Sequence, residues 1–205
     1  MSTEPNAAVN NNPLAEPVSE LVGARFAIRA GAQIIDTIVH YSVWILSSLI
    51  LRVAVGIYAG VTHIPVEPLT QRLSSPAWYG FIAAGLGYVF YHTVMEGMYG
   101  ATLGKRVVGL AVVDIGGRPI RFRAALGRSF AFYVDVLFFG LIACSAMEPR
   151  LQQRVGDMWC NTVVLKRSML PVGSTVAAKR FGVTLLLGIL SDSMCYLASA
   201  LVKLT

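Results

Sequence analysis

Asp36, His40, His92, Glu96, Asp135 and Asp192 all lie within or at the margin of long apolar runs. A charge at the centre of a bilayer costs at least about 2.5–3.5 kcal/mol on insertion scales, so such groups must be paired, neutral or hydrated. Asp36 and His40 are four positions apart, as are His92 and Glu96, so each pair shares one face of a helix. A carboxylate beside an imidazole can relay a proton or hold a cation, because histidine changes charge near neutral pH and carboxylates bind hard ions. The same residues can instead form an interhelical hydrogen bond, worth about 1 kcal/mol, that fixes a hairpin. Structural contact, ion or proton site and metal site all stand as readings of Asp36, His40, His92 and Glu96. Asp192, flanked by Ser191 and Ser193 in mid-run, has the same alternatives.

Other candidate chemistry is weaker. Arg29 and Asp36 are seven apart and share a helix face; the spacing recurs at Arg128 and Asp135, but the residues between do not match, so no internal repeat is read from it. Gly104-Lys105 looks like the end of a phosphate loop, yet that loop needs Gly at position 99 and Ser or Thr at 106, where Tyr99 and Arg106 stand. Cys144, Cys160 and Cys195 are odd in number and lack Cys-x-x-Cys spacing, which supports neither a disulfide framework nor a zinc ribbon. With no Ser/His/Asp or His-Glu-x-x-His arrangement, no enzymatic activity, metal or cofactor is expected.

These residues sit in a chain of 205 residues and 22.1 kDa, 55% hydrophobic and 14% charged, with a mean hydropathy of +0.62. That is more apolar surface than a small soluble globule hides, and it is gathered into runs of bilayer length. Ala30 to Leu51 follows Arg25 and Arg29, closes on Arg52 and predicts a first span, with apolar residues continuing to Ile57. A Pro-containing connection, Val61 to Pro76, leads to Ala77 to Met98, a second span antiparallel to the first. Phe181 to Leu201, after Lys179 and Arg180, predicts a third. Gly85, Gly87, Gly97 and Gly100 suit close helix packing or a helix end.

Ser129 to Met147 is the ambiguous segment, long enough for a marginal span but containing Asp135 and Gly140. If it crosses, the 17 Lys and Arg residues divide nine against eight across the membrane; if it dips in and returns, fourteen lie on one side and only Arg52, Arg72 and Lys203 on the other. Basic residues concentrate on the cytoplasmic side, which favours the second arrangement and a cytoplasmic N-terminus. Val107 to Asp114 and Pro119 to Phe122 flank the turn signal Ile115-Gly116-Gly117, and Cys160 to Leu165 is a third β-prone run. One small sheet built from these runs requires both ends of the ambiguous segment to share a side. The expected fold is an all-α membrane protein: three transmembrane helices plus a re-entrant or interfacial helical segment, ahead of four plain transmembrane helices, with a small cytoplasmic β-hairpin or sheet. A bend near Gly140 would have to be covered by protein, because lipid cannot satisfy its backbone.

The net charge of +6 does not indicate nucleic acid, because the basic residues flank apolar runs instead of forming a stripe. The first 24 residues hold no Lys or Arg, so they lack the basic opening of a secretory signal, and residues 1–20 read as a disordered tail. The expected partners are the bilayer itself and anionic lipid headgroups, the latter at Lys105, Arg106, Arg121 and Arg123. A chain of this size also fits a homo-oligomer or a larger membrane complex.

Arg29 with Asp36 in the first span, the run GATLGKRVVGLAVVD from Gly100 to Asp114, and Gln153-Arg154-Val155-Gly156-Asp157 leading to Thr162-Val163-Val164 together resemble the RDD family of membrane proteins. The likeness covers about residues 25–167, is most specific over Thr102 to Arg106, and leaves 178–205 as an additional C-terminal transmembrane helix. The family is named for one arginine and two aspartates, and the resemblance implies Arg29, Asp36 and Asp157 for these, with Asp114 the alternative to Asp157. Asp135, Asp192 and the histidines match nothing typical of it. The resemblance also implies a bacterial-type cytoplasmic (inner) membrane protein that moves or senses an ion or small solute, against the alternative of a non-transporting scaffold. Physically, Arg29 at the interface would meet lipid phosphate or Asp157, and Asp36 would sit deeper.

Overall fold

A computed structural model of the chain describes residues 22–75, 77–137, 150–170 and 178–204. The expected tail, 1–20, and the bend near Gly140 lie outside the described residues. Helices dominate: α1 (Phe26–Thr62), α2 (Val66–Ser74), α3 (Trp78–Tyr99), α4 (Leu103–Val107), α5 (Phe122–Leu137), α6 (Val155–Trp159) and α7 (Ala178–Leu204), with strands β1 (Leu110–Asp114) and β2 (Thr162–Lys166). Among the described residues, α1 and α7 are long and apolar enough to cross a membrane. The 22-residue α3 has the length, but its Tyr, Gly, His and Thr residues lower its hydropathy.

α1 is one helix of 37 residues, longer than the predicted span, because nothing from Phe26 to Thr62 interrupts it. It stops at His63, whose left-handed backbone (φ 55°) precedes Ile64-Pro65, and proline cannot continue a helix. The predicted connection Val61 to Pro76 contains a helix of its own, α2. Ile34, Ile38, Ile45, Leu49, Val53 and Ile57 are each more than half exposed along α1, an outward apolar face of the kind lipid covers.

α1, α5 and α7 run the same way from the end that carries the sheet, and α3 runs back among them. At that end Tyr99 of α3 packs edge-on against Phe181 of α7; further along, Trp44 of α1 meets Tyr196 of α7. α5 starts with Phe122 against Gly97 of α3, and its Tyr133 hydroxyl donates to the Gly85 carbonyl at 2.7 Å. That is twelve residues of α3, or about 18 Å of helix. By Arg150 the chain is back at the sheet, where the Arg150 carbonyl accepts the Gly23 N–H at 3.0 Å. The start of α5 and Arg150, on either side of 138–149, therefore lie at the same end of the bundle.

β1 and β2 pair antiparallel, Leu110 opposite Lys166 and Asp114 opposite Thr162. Side chains alternate across the ribbon, so Leu110, Val112 and Val164 join Ala24, Ala32, Ile120 and Ala125 in one core, while Val113, Val163 and Leu165 form another. The predicted strand Pro119 to Phe122 is not one: only Val113 and Pro119 bridge, and α5 begins at Phe122. Backbone partners cover both outer edges, since Val112 donates to Gly100 at 2.7 Å and Ala24 donates to Val164 at 2.8 Å.

Candidate functional site

At the sheet end, five helices each contribute one charge to a buried ionic network. Arg29 of α1 donates to Asp157 of α6 and to the Gln152 carbonyl. Arg128 of α5 lies between two carboxylates, with Nη2 3.0 Å from Asp157 Oδ1 and Nε 3.5 Å from Glu96 Oε2. Lys105 of α4 closes the chain on Glu96 of α3, whose Oε1 is 3.9 Å from His92 Nδ1. Burial alone would push the Asp157 carboxyl up, but Arg128, Arg29 and Arg154 outweigh it and hold it well below the usual carboxylate range. Burial pulls the Lys105 ammonium down, and Glu96 restores only part of the loss. Asp157 also accepts the Arg154 N–H at 3.1 Å, capping the first turn of α6.

About seven residues deeper on α1, Asp36 is fully buried and bound by neutral donors. Thr102 Oγ1 donates to Oδ2 at 2.6 Å, while the Gly104 N–H and the Tyr91 hydroxyl donate to Oδ1 at 2.8 and 3.2 Å. Three hydrogen bonds satisfy the buried carboxyl group. The approach depends on glycine: a Cβ on Gly104 would lie 2.1 Å from the Ala32 carbonyl oxygen.

One turn further along, His40 Nδ1 and the Trp44 indole N–H each sit 2.8 Å from Asp192 of α7. Ser47 and Ser193 add a hydroxyl contact at 3.2 Å. Gly87 of α3 makes the room, since a Cβ there would come within 2.2 Å of Asp192 Oδ1. His40 also stands edge-on to Tyr88 at 5.4 Å between ring centroids, and Tyr88 lies 4.3 Å from His92.

The profile of the RDD family matches residues 24–161, about two thirds of the chain. The chain belongs to the RDD family. No curated protein and no solved structure matches it. Family membership together with the apolar helices α1 and α7 points to a membrane protein. Inside the matched stretch of this RDD protein, Arg29 meets Asp157, whereas Asp36 meets neither. Asp114, the alternative second aspartate, folds its Oδ1 back onto the Gly116 and Arg118 N–H groups at 2.9 and 2.8 Å and shapes the turn after β1.

The four residues grouped from the sequence as one ion or proton site are separated into different layers of the RDD bundle. Asp36 faces the start of α4 instead of His92, because Thr102 and Gly104 reach it first. His40 pairs with Asp192, and His92 with Glu96. Lys105, expected at lipid headgroups, is buried on Glu96, since an unpaired carboxylate there would be costly. Arg106 is half-buried, donating to the Tyr99 hydroxyl and stacked 4.6 Å from the Phe181 ring centroid; Arg121 and Arg123 are exposed. The side chain of Asp135 lies outside the described ones. Among the described residues no group of three His, Cys, Asp or Glu side chains could hold a metal ion. Sequence reasoning missed Thr102 as a partner of Asp36, although a Thr just ahead of a short helix is a helix-start signal.

Proposed function

We propose that this RDD-family membrane protein moves or senses a proton or small ion through ionisable groups buried in its helical bundle. The observation that carries this reading is the His40–Asp192 pair, midway along two helices that run the same way. His40 follows Arg29 by eleven residues and precedes Arg52 by twelve; Asp192 follows Arg180 by twelve and precedes Lys203 by eleven. At 1.5 Å per residue the flanking cations are about 16–18 Å away on either side, which suits the middle of a bilayer core about 30 Å thick. An imidazole–carboxylate pair there is costly, and gaining or losing one proton changes its net charge. Tyr88 and His92 extend the row of polar side chains from this pair to Glu96 at the sheet end.

The reading takes α1, α3 and α7 as three spans, α5 as the start of a re-entrant segment, and the sheet and N-terminus as cytoplasmic. The return of the chain to the sheet at Arg150 and the fourteen-to-three division of basic residues support it. Reconstituted into vesicles that enclose a pH-sensitive dye, the protein should respond to an imposed pH gradient. Asp192→Asn should abolish the response while leaving the amount and Tm of folded protein close to wild type. A response that persists unchanged in both Asp192→Asn and His40→Ala removes the pair from the function.

A second reading, a non-transporting scaffold docking a partner or anionic lipid, draws on Asp36. Its three donors come from α3, the α3–α4 connection and α4, so it acts as a clamp between elements. Loss of folded protein in Asp36→Asn, with no gradient response in wild type, would favour that reading.

A further inference from the structure

The ionic network at the sheet end leaves a cavity of about 20 Å³, lined in part by Gln33, His92, Glu96, Lys105, Arg128 and Arg154. About 10–15 Å³ is enough for one water, so this partly open space takes one small particle at its buried end. Its charge is one-sided. Three cations line it against one carboxylate, Glu96, and the oxygens of Glu96 are already engaged by Lys105 and Arg128. Even with Arg154 set aside, the buried network among the described residues sets Arg29, Lys105 and Arg128 against Glu96 and Asp157, one cation in excess. Asp36 does not line the cavity, and Tyr91, Thr102 and Gly104 occupy its oxygens.

A second observation concerns donors. Gln33 Nε2 and His92 Nε2, both on lining residues, are buried without a hydrogen-bond partner. His92 is only 5% exposed, and native interiors rarely leave such groups unmatched. An amide N–H and an imidazole nitrogen without partners, on residues that line a small space under excess positive charge, suit an anion better than a cation.

We propose that this cavity binds one monatomic anion of the halide class, held by Gln33 and His92 with Lys105 and Arg128 supplying charge. The site shares His92 and Glu96 with the polar row of the proton reading but involves neither His40 nor Asp192, so an anion test and a proton-gradient test fail separately. The test uses the purified full-length chain in detergent at fixed pH and ionic strength, with chloride, bromide, sulfate or gluconate as the anion. Chloride and bromide should raise the Tm by several degrees and saturate, and bromide should reverse the broadening of the chloride NMR line that the protein causes. Sulfate acting as well as chloride would mean general screening of surface cations and would overturn the proposal. So would a sharp chloride line with no halide effect on Tm, which would leave the cavity to water. Gln33→Glu, which sets a carboxylate where the anion would lie, should remove the halide effect; a full effect in that variant also overturns the assignment. If Gln33→Glu does not fold, the wild-type anion series decides by itself.

Discussion

The two ends of the buried face of α1 follow opposite rules. Near the sheet, each carboxylate has at least two cationic partners drawn from different helices, so removing one contact leaves others in place. In mid-helix, Asp192 has one ionisable partner, His40, and one neutral donor, Trp44. Redundant pairing holds protonation states constant and fixes geometry, whereas a sparse pair changes charge when one proton moves. A lock and a titratable element therefore coexist on one helix, about three turns apart.

Breaking the lock should have the largest effect. Asp157→Ala strands Arg29 in a buried site and leaves Arg128 with Glu96 alone, and loss of one partner from such a pair costs about 3–5 kcal/mol; the yield of monodisperse protein and its Tm should both collapse. The same carboxyl predicts an acid limb. Its folded-state pKa lies below the unfolded value of about 3.9, so the stability it contributes is present above that pH and is lost as the pH falls through it toward the folded value. A pH series of Tm should show this limb in wild type and a flatter one in Asp157→Asn.

Gly104→Ala comes next, because the added Cβ meets a backbone oxygen that cannot swing aside. Overpacking of this kind costs about 1–3 kcal/mol, which thermal unfolding in detergent would register; an unchanged Tm would mean that α4 does not lie against α1. Asp192→Asn should cost only about 1 kcal/mol or less. It should nevertheless change the Trp44 fluorescence, because the indole N–H loses its carboxylate acceptor. An unchanged emission in that variant would mean that Trp44 does not meet Asp192 and would blur the contrast between the two regions.

The smallest effect belongs to the exposed pair Arg121 and Arg123. Changing both to Ala should move stability by no more than about 0.5 kcal/mol. If they touch lipid, binding to anionic vesicles should weaken by about 1 kcal/mol per residue; unchanged binding would discard the headgroup contact.

The helices were legible because a bilayer-length apolar run is a property of consecutive residues, as in Phe181 to Leu201 within α7. The small sheet was half legible: Leu110 to Asp114 and Thr162 to Lys166 have strand composition, but Pro119 bends into α5 because Asp114 draws the turn onto itself. The pairing of Arg29 with either phosphate or Asp157 could be framed from charge and boundary position. The partners of Asp36 and His40 could not, because they depend on helix rotation and on α4 wedging between α1 and α3, neither of which a one-dimensional spacing records. Asp192 carried no signal that singled out His40, since an equal depth on parallel helices becomes apparent only after both are placed.

Arg29 and Asp157 are separated by 128 positions in the chain. At synthesis rates of 5–20 residues per second, roughly 6–26 s pass between the ribosome adding one and adding the other. During that interval α1 and α3 are already made, while the guanidinium has no carboxylate from α6 and β2 does not exist. Until α6 is made Arg29 lacks its Asp157 partner, so a chain that stops short of Val155 cannot close this link of the network.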